Sequence, residues 1–244
     1  MNMVKPKSPL LLSLFYPALF VALLWIIKLY ELFTGNSLSH YGLLPRTAEG
    51  LLGIFTGPLL HADIAHLLAN TLPLLILGAI TFFFYRPIAF QLFFWIYLST
   101  GIWVWTAARS SYHIGASGII YGFESFLFFS GVFRKNPQLL ALSLFVVFLY
   151  GSTIWGVLPV QQGVSWESHA MGALAGLIIA YNFRKEGPPN KTYDFGDDEE
   201  NEKIDVSSMD EVSESTSGRV PPDITIHYHY IDEKNKNNEE QDKA

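Results

Sequence analysis

Residues 115–134 read GASGIIYGFESFLFFSGVFR. The stretch from Gly115 to Phe133 is mostly apolar after a Gly-Ala-Ser-Gly start, interrupted by Glu124-Ser125 and Ser130, and Arg134-Lys135 closes it. At about 1.5 Å rise per residue, such a run approaches the ~30 Å hydrocarbon core of a bilayer. It therefore reads as a membrane helix with a small, polar beginning and a basic end. Working outward, five more stretches qualify or nearly do: Leu10–Leu32, His61–Tyr85, Ile88–Ala108, Leu139–Leu158 and Val164–Phe183. Turn or charge signals separate them, among them Gly35-Asn36, Arg86-Pro87, Arg109-Ser110-Ser111 and Asn136-Pro137. The expected fold is an all-α polytopic membrane protein, a six-transmembrane-helix bundle.

Composition agrees. Half of the 244 residues are hydrophobic and only 16% are charged, against about 25% charged in a soluble domain. The net charge of −6 hides a segregation. Residues 1–185 hold 10 Lys and Arg against 5 Asp and Glu, or +5. Residues 186–244 hold 6 against 17, or −11. No basic surface suited to nucleic acid appears, and the absence of cysteine excludes disulfides and thiolate metal sites. The first apolar stretch is too long for a signal peptide and lacks a small-residue cleavage site. Three regions follow: a short cytoplasmic N-terminus over 1–9, a six-helix core over 10–185, and an acidic tail over 186–244. The tail cannot bury enough apolar surface to fold alone and reads as disordered.

Basic residues set the expected orientation. With the N-terminus inside, Lys5, Lys7, Arg86, Arg134, Lys135, Arg184 and Lys185 all face the cytoplasm. Arg46 and Arg109 lie outside as interfacial anchors, and Lys28, near the outer end of the first helix, snorkels. Both termini are then cytoplasmic. The first outer loop, from about residue 33 to 60, is unusually greasy and is expected on the bundle or in the interface.

Polar residues inside membrane helices are costly and invite functional hypotheses. Helix two opens with His61, His66 and Asn70. Helix four opens with Gly115-Ala116-Ser117-Gly118, and helix six with Ser168-His169. The basic residues closing these helices act as depth rulers. Asn70 to Arg86, Ser117 to Arg134 and His169 to Arg184 correspond to roughly 24, 26 and 23 Å of helix. Three separate segments thus bring Asn, Ser and His to one level a few Å below the outer boundary.

Ser117 between small neighbours at a helix start has backbone N–H groups and the positive helix end beside it. His169 is the candidate base for its hydroxyl. His66 and Asn70, four apart on one helix face, can donate hydrogen bonds to developing negative charge. No acidic residue is placed to orient the histidine, so a Ser–His dyad fits better than a triad. Taken alone, the Gly-Ala-Ser-Gly signal is weak, because small residues are common in packed membrane helices; a lone intramembrane histidine is a better candidate, with a bundle hydrogen bond or a proton relay as its other readings. A spacing of five puts His61 and His66 about 140° apart on a helix, unlike metal-binding i,i+4 pairs. No metal or cofactor is expected.

The pattern resembles the rhomboid family of intramembrane serine proteases. The matching motifs are His61-x4-His66-x3-Asn70, Gly115-Ala116-Ser117-Gly118 with Tyr121, and His169-x2-Gly172-x3-Gly176. The resemblance spans about residues 10–185. It implies Ser117 as nucleophile and His169 as general base. It further implies an oxyanion hole of His66, Asn70 and the Ser117 backbone, with Tyr121 packed on His169. Gly115, Gly118, His61, Gly172 and Gly176 would support the site, the last two by close helix packing. Substrates would be transmembrane proteins cut in or near a membrane segment, in a prokaryotic cell membrane, from a site opening to the extracytoplasmic side. The family's common Trp-Arg pair in the first outer loop is absent here, and Ser168 stands where alanine is common. Glu124 has no implied role; it reads as a hydrogen-bonded bundle residue or as a polar plug below the site. The rival readings are a catalytically inactive rhomboid-like protein that binds membrane clients, and a small transporter or channel with an intramembrane His/Glu relay.

Overall fold

A computed structural model describes residues 9–149, 156, 158 and 165–188. Among these residues the chain is helical, with seven α-helices. They are α1 (Pro9–Thr34), α2 (Gly53–Thr56), α3 (Ile64–Phe84), α4 (Ala89–Ala107), α5 (Ser117–Phe133), α6 (Pro137–Leu149) and α7 (Trp166–Asn182). The end of the expected fifth stretch, the start of the sixth, residues 1–8 and most of the acidic tail lie outside the described residues.

Two of these helices, Leu10–Thr34 within α1 and α3, are long and apolar enough to cross a bilayer. In α4, Gln91, Tyr97 and three tryptophans dilute the apolar run. In α5 and α7 the helix is cut to 17 residues by its start signals. Gly115 takes a positive φ of 113°, so α5 cannot begin before Ser117. The Ser165 side chain accepts the Ser168 N–H, which starts α7.

A second cap corrects the reading of helix two. Asp63 accepts the His66 N–H at 2.7 Å, so α3 starts at Ile64 and His61 precedes it. The 140° separation of His61 and His66 therefore does not apply. Their rings meet edge to face, with centroids 5.0 Å apart.

Helices α5 and α7 touch backbone to backbone. A Cβ on Gly172 would overlap the Gly118 carbonyl oxygen, and one on Gly176 would stand 2.8 Å from the Phe126 nitrogen. Ser125 Oγ donates to the Ala173 carbonyl at 2.6 Å across the same seam. Because no side chain there can give way, Gly172→Ala must push α7 off α5. We expect a loss of about 1–3 kcal/mol, the usual cost of overpacking, read as a lower melting temperature in detergent. An unchanged melt would disprove the contact.

Helix α1 packs on α3, with Pro17 against Gly78 and the Trp25 indole donating to Thr71 Oγ1 at 3.1 Å. The core between helices is filled by Leu24, Leu67, Leu77, Ile96, Phe126 and their neighbours. The opposite face of α1 exposes Leu10, Phe15, Leu19 and Ile26, as a lipid-facing surface does.

The loop before α3 is partly folded in. Leu43 and Ile54 bury against Val104 and Ala108, while Leu51, Leu52 and Phe55 remain exposed. The loop is also stitched to α4. Arg46 donates to the Ala108 carbonyl at 2.7 Å, and the Trp105 indole donates to the Thr47 carbonyl at 3.0 Å. Arg46 thus clamps the loop to the end of α4. Likewise Lys28 does not snorkel outward: it is only 7% exposed and turns into the protein.

Candidate active site

Ser117 is the first residue of α5, and its Oγ lies 2.7 Å from His169 Nε2 on α7. The other ring nitrogen of His169, Nδ1, is 2.8 Å from the carbonyl oxygen of Gly156. A carbonyl only accepts, so Nδ1 carries the proton and donates to it. Nε2 is left with its lone pair facing the serine hydroxyl, the arrangement a general base requires. A backbone carbonyl does here what the carboxylate of a triad does elsewhere. Sequence reading missed this group because every residue offers a carbonyl, and nothing in the residue types marks the one that is used.

The approach of Gly156 depends on its lacking a side chain. A Cβ there would collide with the Tyr121 hydroxyl and stand 3.0 Å from His169 Nδ1. The Tyr121 ring is stacked on the imidazole of His169, with centroids 4.3 Å apart and planes 14° from parallel. His169 is therefore held by a hydrogen bond at each nitrogen and by an aromatic face.

On the other side of Ser117, the His66 ring lies against Gly115, where a Cβ would come within 2.7 Å of Cε1. Asn70 is buried beside it. Its amide nitrogen has no hydrogen-bond partner among the described residues, and it lies 3.8 Å from where a Gly115 Cβ would be. A buried amide donor left unpaired is costly and marks a place where an acceptor is wanted. His61 acts on the backbone instead: its Nε2 accepts the Ala116 N–H at 3.5 Å, bracing the turn that presents Ser117. Ser168, beside the base, has its Oγ 2.6 Å from Ser165 Oγ. Glu124 is buried in α5 two turns below Ser117.

Residues 48–186 match the family model described as the Rhomboid domain. The chain belongs to the rhomboid family. Among its relatives are uncharacterized proteins of Mycobacterium bovis and Mycobacterium tuberculosis, each 38% identical over 171 residues. That alignment covers 66% of this chain and 71% of the relative. A Mycobacterium leprae relative is 36% identical over the same length, covering 66% and 68% respectively.

In this rhomboid protein His61 is almost fully enclosed just ahead of α3. Burial, reinforced by the neighbouring His66 and Lys28, pushes its imidazole down to about 4. The folded protein thus holds His61 neutral where the unfolded chain binds a proton. Stability is unaffected above about pH 6.5, the unfolded value, and is lost as pH falls from there toward 4. The contribution of this one group is roughly 3 kcal/mol at the acid end. Melting curves of the wild type and His61→Gln between pH 7.5 and 4 should diverge below pH 6.5, with the wild type falling more steeply. Parallel curves would remove His61 as the cause.

Proposed function

We propose that this rhomboid protein is an intramembrane serine endopeptidase that cleaves transmembrane protein substrates with a Ser117–His169 dyad. The observation that carries the reading is the 2.7 Å contact of Ser117 Oγ with a His169 Nε2 whose other nitrogen is committed to Gly156. In this mechanism Nε2 takes the hydroxyl proton as Oγ attacks the substrate carbonyl carbon. The resulting oxyanion is stabilised by the Ser117 N–H at the start of α5, the His66 ring and the Asn70 amide, which has no partner among the described residues. His169 then gives its proton to the leaving amine, and the peptide C–N bond breaks. Water attacks the acyl-enzyme with His169 again as base, releasing the new carboxylate and restoring Ser117. No cofactor or metal takes part.

The architecture we propose is a six-span bundle in a bacterial cell membrane, with both termini cytoplasmic and the site opening to the extracytoplasmic side. The segregated basic residues support that orientation. Helix length supports the depth of the site. The 17 residues of α5 and of α7 give about 26 Å, short of the ~30 Å core. Helices that end at the basic inner boundary, after Phe133 and Asn182, then begin below the outer surface, and Ser117 and His169 stand at those beginnings. The test is cleavage of a model transmembrane substrate by the purified protein in proteoliposomes, with mass-spectrometric identification of the cut. Absence of cleavage and of labelling by a fluorophosphonate would leave the client-binding reading in its place.

A further inference from the structure

The loop that delivers Ser117 and the helix that delivers His169 are cross-linked at their outer ends by a residue outside the proposed dyad. His113 lies in the α4–α5 loop and is 3% exposed. Its backbone is fixed to the first loop in both directions, donating to Leu43 O at 2.8 Å and accepting from Leu43 N at 3.1 Å. From that fixed point the ring reaches α7. Nδ1 is 2.5 Å from Ser165 Oγ, and Nε2 is 3.1 Å from the Arg109 carbonyl oxygen.

The hydrogen-bond directions follow from chemistry. The Arg109 carbonyl can only accept, so Nε2 carries the hydrogen and Nδ1 is the acceptor. Burial pushes His113 below the usual histidine range, which favours the neutral ring this pattern requires. Ser165 therefore donates its hydroxyl to His113. Its oxygen then receives the Ser168 hydroxyl at 2.6 Å and the Ser168 N–H at 3.4 Å. Ser165 is the residue that caps α7, and its carbonyl accepts the N–H of His169 at 3.4 Å. The chain of bonds runs from a backbone-anchored ring, through the helix cap, to the first turn that carries the base. Arg109 Nε and Glu167 Oε1, 3.3 Å apart, bridge the same two segments alongside it.

We propose that His113 is a positioning residue: by fixing the Ser165 cap, it sets the angle at which His169 faces Ser117. The inference rests on the serine-protease reading. The glycine seam and the Ser125–Ala173 bond fix how close α5 and α7 lie along the body of α7, and the cap at Ser165 lies ahead of both. The cap network is what stops the first turn of α7 from rotating. Since His169 must hold Nε2 within hydrogen-bond reach of Ser117, a small rotation costs turnover rather than substrate binding.

The experiment measures transmembrane-substrate cleavage and fluorophosphonate labelling rates in proteoliposomes for wild type, His113→Leu, His113→Asn, Ser165→Ala and the His113→Leu/Ser165→Ala double variant. In His113→Asn, the side-chain oxygen stands near the place of Nδ1 and can accept from Ser165. We expect His113→Leu and Ser165→Ala each to lower kcat and the labelling rate ~10–100-fold, with KM within about twofold. The double variant should be no worse than the poorer single, because both break one chain. Asn should restore most of the rate. Wild-type kcat in His113→Leu or Ser165→Ala, strict additivity, or a loss confined to KM would overturn the positioning role. If His113→Leu does not fold, Ser165→Ala and His113→Asn decide alone, and a wild-type rate in Ser165→Ala overturns the role. A wild type that neither cleaves nor labels would instead overturn the protease reading, and the positioning role with it.

Discussion

Ser117→Ala is expected to lower cleavage of a transmembrane substrate by about 10⁴-fold or more, leaving melting temperature and expression near wild type. The magnitude follows from what the change removes. In the proposed mechanism, loss of Oγ leaves no atom to form the acyl-enzyme, and what survives is oxyanion stabilisation and substrate positioning, which alone leave modest rates over water. The small effect on stability follows from what remains. Among the described residues the Ser117 side chain bonds to His169 Nε2, while the Gly156 bond and the Tyr121 stack still hold the ring. His169→Ala should cost about as much activity, because a serine hydroxyl without a base is a poor nucleophile. The double variant should be no slower than either single, since the two residues act as one unit. Fluorophosphonate labelling should vanish in Ser117→Ala and fall steeply in His169→Ala. Cleavage retained by either variant at more than about a tenth of the wild-type rate would end the dyad mechanism.

How much of this was legible in the chain depends on the kind of information each part needs. The membrane character was visible in bulk composition. The convergence of Asn70, Ser117 and His169 was visible through the basic residues that close their helices, because helical rise converts sequence distance into depth. Helix starts were less legible. Asp63 and Ser165 are ordinary capping residues, but reading the apolar run alone carried the expected helices past them. That is why His61 looked like a helix residue on the wrong face, whereas it lies in the lead-in, against His66 and under Ala116. Least legible were groups whose role depends on a partner distant in sequence. The Gly156 carbonyl, the His113 ring and the inward turn of Lys28 each exist only because the fold brings a second segment to them.

Lys28 carries the second large effect. Its ammonium is buried near the C-terminal end of α1, where a charge without partners would be costly. All three of its N–H donors are used: Nζ lies 3.0 Å from Glu31 Oε2, 2.9 Å from the His61 carbonyl and 3.0 Å from the Ala62 carbonyl. The other oxygen of Glu31 accepts the Leu38 N–H at 2.7 Å. One ion pair thus ties α1 to the lead-in of α3 and to the first loop. Lys28→Met fills the volume but leaves a buried carboxylate oxygen and two carbonyls without a donor. Breaking one partner of a buried pair typically costs 3–5 kcal/mol, which in a chain of this size is a fall of roughly 6–20 °C in melting temperature. Replacing both partners is a different matter, because Lys28→Met/Glu31→Leu removes the stranded charge as well. That double variant should recover a large part of the loss, although the carbonyls of His61 and Ala62 and the Leu38 N–H remain unpaired. Activity should not recover in step. Those two carbonyls precede the Asp63 cap of the helix that carries His66 and Asn70, so releasing them loosens the side of the site proposed to hold the oxyanion even when the bundle is stable. The measurement is a detergent melt and a kcat for each variant. A Lys28→Met melt within about 2 °C of wild type would show that the pair holds nothing together, and a double variant no more stable than Lys28→Met would show that the stranded charge is not what destabilises it.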